Sequence, residues 1–257
     1  MLVFVHIEKT AGTTLKFIFR NSFGQKHCDS KKNKKDIFTQ ADLDYAKKVF
    51  GEIKCISGHN LVEPTRHLND IDLMFMTVLR DPVTRSASYY QDNCLRGREH
   101  IDFKEWIKDE NKHNMQVKRI AGSADLDIAK KLLNESYFFV GLTERFDDSL
   151  RLLKLLCPYE LKLKYNKKLV AQDNTVKDRL INTPDTLKIL KDIDHLDIEL
   201  YDYVKNELFP ARINEYRDQL EKITLPGSYY KDHLTWNYQM SIAFNKFIYR
   251  QKLKIGV

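Results

Sequence analysis

Apolar positions change their spacing several times along the chain, and each change marks an element. Leu2 to Val5 is a short unbroken apolar run. Beyond His6 it gives way to the polar turn Glu8-Lys9-Thr10-Ala11-Gly12-Thr13-Thr14, after which Leu15, Ile18, Phe19 and Ser22 recur at helical spacing. The pattern predicts a strand, a turn and a helix that Gly24 stops. A helix from about Asp42 to Phe50 follows, then a short strand from Ile53 to Ser57 ending in Gly58-His59-Asn60. Leu73 to Leu79 and Tyr137 to Leu142 are nearly continuous apolar runs of strand length, as expected for strands buried on both faces of a parallel sheet. After the first of these, Asp81 suits a helix N-cap and Pro82 the first helical position. Val83, Ala87, Tyr90 and Cys94 then share one face of that helix, with Arg85 and Ser88 nearer the other.

Later helices are marked by the apolar stripe Phe146, Leu150 and Leu153, by Thr183-Pro184, and by Leu196, Leu200, Val204 and Leu208, which repeat every four residues before Pro210. Tyr229 to Ile255, with Trp236, Tyr238, Phe244, Phe247 and Ile248, reads as a helical tail that packs on the core or on a partner. Strands alternating with helices predict a three-layer, doubly wound α/β fold with a parallel sheet and a helical C-terminal part. Ligands of such sheets sit at the carboxyl ends of the strands. Three polar clusters fall there: Lys9 to Thr14, Gly58 to Asn60, and Arg80-Asp81.

The first cluster is suited to an anion. N–H groups at a helix start lack intrahelical partners, and the helix dipole favours negative charge there. Gly12 permits close backbone approach, Thr10, Thr13 and Thr14 add hydroxyls, and Lys9 adds a full charge. No glycine stands ahead of Lys9 where a Walker A loop requires one.

The order His6-Ile7-Glu8-Lys9-Thr10-Ala11-Gly12-Thr13-Thr14 resembles the 5′-phosphosulfate loop of sulfotransferases that use 3′-phosphoadenosine 5′-phosphosulfate (PAPS). It is most similar to the branch holding heparan sulfate 2-O- and chondroitin sulfotransferases and their bacterial relatives. That branch carries proline where this chain has Glu8. The resemblance covers residues 3 to 156 well and 157 to 208 loosely, and names nothing from Ala211 onward.

It implies a P-loop-like phosphosulfate loop made of Lys9, Thr10, Gly12, Thr13 and Thr14. It also makes Arg80 and Ser88 the pair that holds the nucleotide 3′-phosphate, for which an arginine fork and a hydroxyl are well suited. Ser57-Gly58-His59 matches the segment whose histidine takes the acceptor's proton, a task open to a neutral imidazole near pH 7. Lys9 and His59 are therefore the expected catalytic residues. Glu63 and His67 are competing bases, Glu8 either competes or tunes Lys9, and His6 reads as structural. Asn114-Met115-Gln116 matches a family segment that either lines the acceptor site or caps a helix, and Val140 to Phe146 matches one expected to pack in the core.

The implied activity is transfer of a sulfuryl group from PAPS to a hydroxyl of a glycan or glycolipid, leaving 3′-phosphoadenosine 5′-phosphate. No metal and no nucleic acid are expected to take part. Two alternatives stand beside it, an ATP-dependent kinase of P-loop-like fold and a catalytically silent nucleotide- or glycan-binding protein. The expected domains are 1–210, sulfotransferase-like, and 211–257, a helical extension.

Composition changes this picture little. The 257 residues carry 42% hydrophobic and 31% charged side chains, ordinary for a globular α/β domain, and the net charge of +7 suits an anionic ligand without requiring one. Arg66, Arg96 and Arg98 would favour an acidic sugar, whereas Lys31 to Lys35 reads as a solvated basic loop. Cys28, Cys55, Cys94 and Cys157 are too scattered for a zinc site or a disulfide framework, so reduced thiols are expected. With no leader or membrane-length apolar run, a cytoplasmic microbial protein is expected, the alternative being a trimmed Golgi-lumenal domain.

Overall fold

A computed structural model describes residues 1–30, 37–62, 67–68, 72–95, 97, 102–164, 174–226 and 236–255. Lys31 to Lys35, Glu63, Arg66, Arg96, Arg98, Tyr165 to Lys168 and the start of the tail at Tyr229 lie outside the described residues.

The first half of the chain forms β1 (Leu2–Val5), α1 (Gly12–Phe23), β2 (His27–Asp29), α2 (Gln40–Phe50), β3 (Cys55–Gly58), β4 (Met74–Leu79) and α3 (Pro82–Leu95). The rest forms α4 (Phe103–Trp106), α5 (Met115–Ala121), α6 (Leu126–Glu135), β5 (Tyr137–Leu142), α7 (Phe146–Leu156), α8 (Thr175–Asn182), α9 (Pro184–Ile193), α10 (His195–Tyr203), α11 (Phe209–Glu215), α12 (Arg217–Glu221) and α13 (Trp236–Ile255). The strands make one sheet in the order β2-β3-β1-β4-β5, with every pair parallel. Central β1 is buried at all four residues, which explains its unbroken apolar sequence.

The chain leaves β1 toward β2 on one side and leaves β4 toward β5 on the other. The carboxyl ends of β1 and β4 therefore flank a topological switch point, where such sheets open a crevice.

Two features differ from the sequence pattern. The edge strand β2 was not expected, because His27-Cys28-Asp29 has no apolar alternation. Arg85, expected near the polar side of α3, is fully buried, because α3 packs between the sheet domain and a second apolar cluster. In that cluster Tyr89 and Tyr90 meet Trp106 edge to face at ring centroid distances of 5.8 and 5.3 Å, alongside Phe103, Leu180 and Leu190. The Arg85 guanidinium bonds Ser86 Oγ at 2.6 Å and stands 3.7 Å from Asp194.

Arg85 and Ser86 belong to a polar seam. Asn114 Oδ1 accepts from the Leu196 and Asp197 N–H groups at the start of α10, and Asp197 accepts from the Gln116 and Val117 N–H groups at the start of α5. The two helices thus cap each other, satisfying donors that their own turns cannot. Between α10 and α11 the backbone widens into one π turn at Val204–Leu208. Pro210 has no N–H to offer the Asn206 carbonyl, so a regular turn cannot close there.

Helix α13 lies on α1 and covers the edge of β2. Asn245 acts as the missing neighbouring strand: its Oδ1 accepts from Asp29 N at 2.7 Å, and its Nδ2 donates to the His27 carbonyl at 3.3 Å. Tyr238 packs on Phe17 with ring centroids 4.9 Å apart, and Phe244 packs toward Phe50.

Candidate active site

At the end of β1 the chain curls tightly. Lys9 and Ala11 both adopt left-handed backbone angles, with φ of 69° and 62°, on either side of Thr10. Thr10 is fully buried and its hydroxyl donates to the Ile7 carbonyl at 3.0 Å. That hydroxyl is occupied within the loop, so it is not the free donor that the sequence suggested. The Ala11 carbonyl accepts the Thr14 and Leu15 N–H groups and so starts α1. The curl and the free first N–H groups of the helix make a concave cluster of donors, the usual cradle for an oxyanion. Thr13 is exposed at its mouth and Thr14 is nearly buried beneath.

Gly12 is required by its neighbour. A Cβ built there would lie 1.9 Å from the His6 ring. The His6 imidazole thus packs flat against the helix start and forms a wall of the cradle. The wall also meets the loop after β3, for the His59 ring lies tilted against His6 with ring centroids 4.1 Å apart.

His59 Nδ1 hydrogen-bonds the His6 carbonyl. Because a carbonyl can only accept, Nδ1 carries the proton in the neutral ring, leaving the lone pair on Nε2. Burial lowers the pKa of His59, favouring the neutral form, while Glu8 and the His6 carbonyl oppose that shift.

The third loop joins the first directly. Arg80 Nη1 donates to the Lys9 carbonyl at 3.0 Å, and Gln116, fully buried, clamps the Arg80 backbone by bonding both its N–H and its carbonyl. Asp81 caps α3 by accepting from Thr84 N at 2.8 Å, while its own N–H donates to Glu144. One face of α3 looks onto the loop, because Lys9 Nζ reaches Asp92 Oδ1 at 3.3 Å. Ser88 lies one helical turn before Asp92 on that face. The loops after β1, β3 and β4 therefore meet as one cluster of Lys9, Gly12, Thr13, Thr14, His59, Arg80 and Ser88.

A model of the sulfotransferase family matches residues 1–204. The chain belongs to the sulfotransferase family. A comparison with curated proteins finds no significant match. Sulfotransferases move a sulfo group to an acceptor, and a cradle for an oxyanion at the end of a central parallel strand is consistent with that chemistry.

Several residues of this candidate site were not evident in the sequence. Arg119, on α5, bonds the buried Glu8 carboxylate at 3.0 Å. Glu8 in turn stands 3.7 Å from His59 Nδ1, so it faces the histidine and Arg119. Asp92 holds Lys9, and Gln116 orients Arg80. Arg119 and Asp92 form no local motif, and only the fold brings them to the site, whereas Gln116 belongs to the segment Asn114-Met115-Gln116 already noted in the sequence. Asn114 and Gln116 are engaged in helix capping and in the Arg80 clamp, which gives their segment a structural task. His67 is exposed.

Among the described residues no group of three or more His, Cys, Asp or Glu side chains is placed to hold a metal ion. No described helix is long and apolar enough to cross a membrane. All four cysteines are free thiols. A cavity of about 680 Å³ lies away from this cluster, lined by residues that include Leu150, Leu163 and Leu220.

Proposed function

We propose that this protein transfers a sulfuryl group from PAPS to a hydroxyl group, most fittingly one on a carbohydrate. The observation that carries the reading is the shared His6 wall: the cradle at Gly12 and the base candidate His59 both lie against one imidazole. An anion held at the start of α1 is thereby next to a histidine whose Nε2 can accept a proton. PAPS, when bound, supplies an activated sulfuryl group attached to a phosphate leaving group.

In this reading the chain's residues position groups and balance charge, which is most of what such transfers need. Lys9 meets negative charge developing on the leaving oxygen, and moves from Asp92 to do so. Backbone donors of the curl, with Thr13 and Thr14, hold the 5′-phosphate. Arg80 and Ser88 hold the 3′-phosphate, and His59 takes the hydroxyl's proton on Nε2. A carbohydrate acceptor is favoured by the likeness of residues 6–14 and 57–59 to the glycan-sulfating branch.

Calorimetry tests the donor. Binding of 3′-phosphoadenosine 5′-phosphate without magnesium should exceed that of AMP or ATP by about 10- to 100-fold, the worth of one or two charged hydrogen bonds. Magnesium-dependent ATP binding without that preference overturns the reading. Lys9→Ala should lower transfer by about 100-fold or more. His59→Ala should lower turnover while leaving nucleotide affinity within about twofold of the wild type.

A further inference from the structure

Glu8 is the position at which the chain departs from the branch it resembles, and the structure gives that departure a place. The carboxylate is buried, with Arg119 Nη2 at 3.0 Å from one oxygen and His59 Nδ1 at 3.7 Å from the other. Arg119 comes from α5, whose start is fixed by the capping contacts with α10. Arg119 is therefore held on a fixed helix, and the carboxylate that it bonds faces the Nδ1 side of the histidine rather than Nε2.

We propose that Glu8 and Arg119 form a positioning pair for His59, in which Arg119 fixes the carboxylate and the carboxylate stabilises the positive charge that the imidazole gains when Nε2 takes a proton. The assignment rests on the reading of His59 as the base.

The electrostatics around the ring support it. The charged and titratable neighbours are His6 at the end of β1, Glu8 in the loop, Lys16 on α1 and Arg119 on α5. Burial depresses proton binding by His59, and Lys16 and Arg119 depress it further. Glu8 is the anion that opposes them. Without it His59 would be a poor base, surrounded by cations and a second ring that burial keeps neutral. Arg119, paired with the carboxylate, limits how strongly it raises the proton affinity of His59, as a base that must also release its proton requires.

The test follows His59 itself. Ring ¹³C and ¹⁵N resonances of the labelled protein, assigned with His59→Asn, are titrated in the wild type, Glu8→Gln and Arg119→Gln. His59 should titrate about one pH unit lower in Glu8→Gln and higher in Arg119→Gln, since one change removes an anion and the other a cation. A His59 titration within about 0.3 units of the wild type in either folded variant overturns the pair. The wild type alone supplies a further readout, because ring shifts that place the neutral proton on Nε2 would also overturn it. These readings need no donor or acceptor, so the pair can fail while transfer stands, and transfer can fail while the pair stands. Where transfer is measured, the acidic limb of the Glu8→Gln rate profile should move down by the same shift as the ring.

Discussion

At the residue scale the site depends on small clearances. Gly12 carries no side chain because the His6 ring occupies that space. Gly12→Ala should destabilise the chain by about 1–3 kcal/mol, the usual range for overpacking, and weaken anion binding as the helix start is pushed away. Adding His6→Ala should restore much of the stability, and thermal unfolding of the four chains of that cycle measures the coupling. Additive losses would mean that the ring is not what excludes the methyl group. Much of this site was legible in the sequence, because Lys9 to Thr14, Ser57 to His59 and Arg80-Asp81 are local patterns at strand ends. The Glu8–Arg119 contact was not, because its partners are 111 residues apart and a lone arginine on a helix carries no signal.

At the element scale, α13 completes the sheet. The Asn245 amide satisfies one outward-facing donor and one outward-facing acceptor of β2, groups that an open edge would leave to solvent or to another chain. Asn245→Leu should cost about 1–3 kcal/mol, since both buried backbone groups lose their partners. Hydrogen exchange at Asp29 N–H should speed up well before the β1 amides change; unchanged protection at Asp29 would show that α13 does not hold the edge. Elements with a clear period were legible, and Tyr137 to Leu142 matches β5 from end to end. Strand β2 was not legible because its burial is polar. Asp29 is enclosed by Lys16 at 2.6 Å, by Arg20 and by the Ser57 hydroxyl, contacts that a sequence pattern does not display. The capping box of Thr39 and Asp42 likewise moves the start of α2 to Gln40, two residues before the apolar period suggests.

At the scale of the whole molecule, two buried clusters respond to pH in opposite directions. His27, fully buried, is pushed down from 6.5 to about 3 by burial, which the neighbouring Asp29 only partly offsets. Burial likewise lowers His6 and His59. The unfolded chain therefore binds more protons at these histidines below pH 6.5, and their contribution to stability is lost as pH falls from there. Burial raises Asp29, but His27, Lys16 and Arg20 outweigh it and hold the carboxyl below its usual value, adding a loss below about pH 4. On the other side Asp197 is pushed up from 3.8 to about 7 by burial and by Asp194, which burial also raises. Those carboxylates bind more protons in the folded state, so their contribution is lost as pH rises from about 4 to 7. The two effects offset each other between about pH 6.5 and 4, and stability should change little there before falling steeply in stronger acid. Denaturant unfolding across pH should show His27→Asn reducing the acid loss and Asp197→Asn enlarging it within that window. Identical slopes in all three chains would separate these groups from the pH response.

The pairing of Asn245 with β2 also sets a schedule. The amide that closes the sheet edge is made 216 residues after the strand it closes. At about 5–20 residues per second, a ribosome needs on the order of 10 to 40 seconds to reach it. Once β3, β4 and α3 have followed, the nascent chain can hold the loop at Lys9 while its edge strand is still open. This protein therefore completes its candidate site first and the protection of its sheet edge from neighbouring chains last.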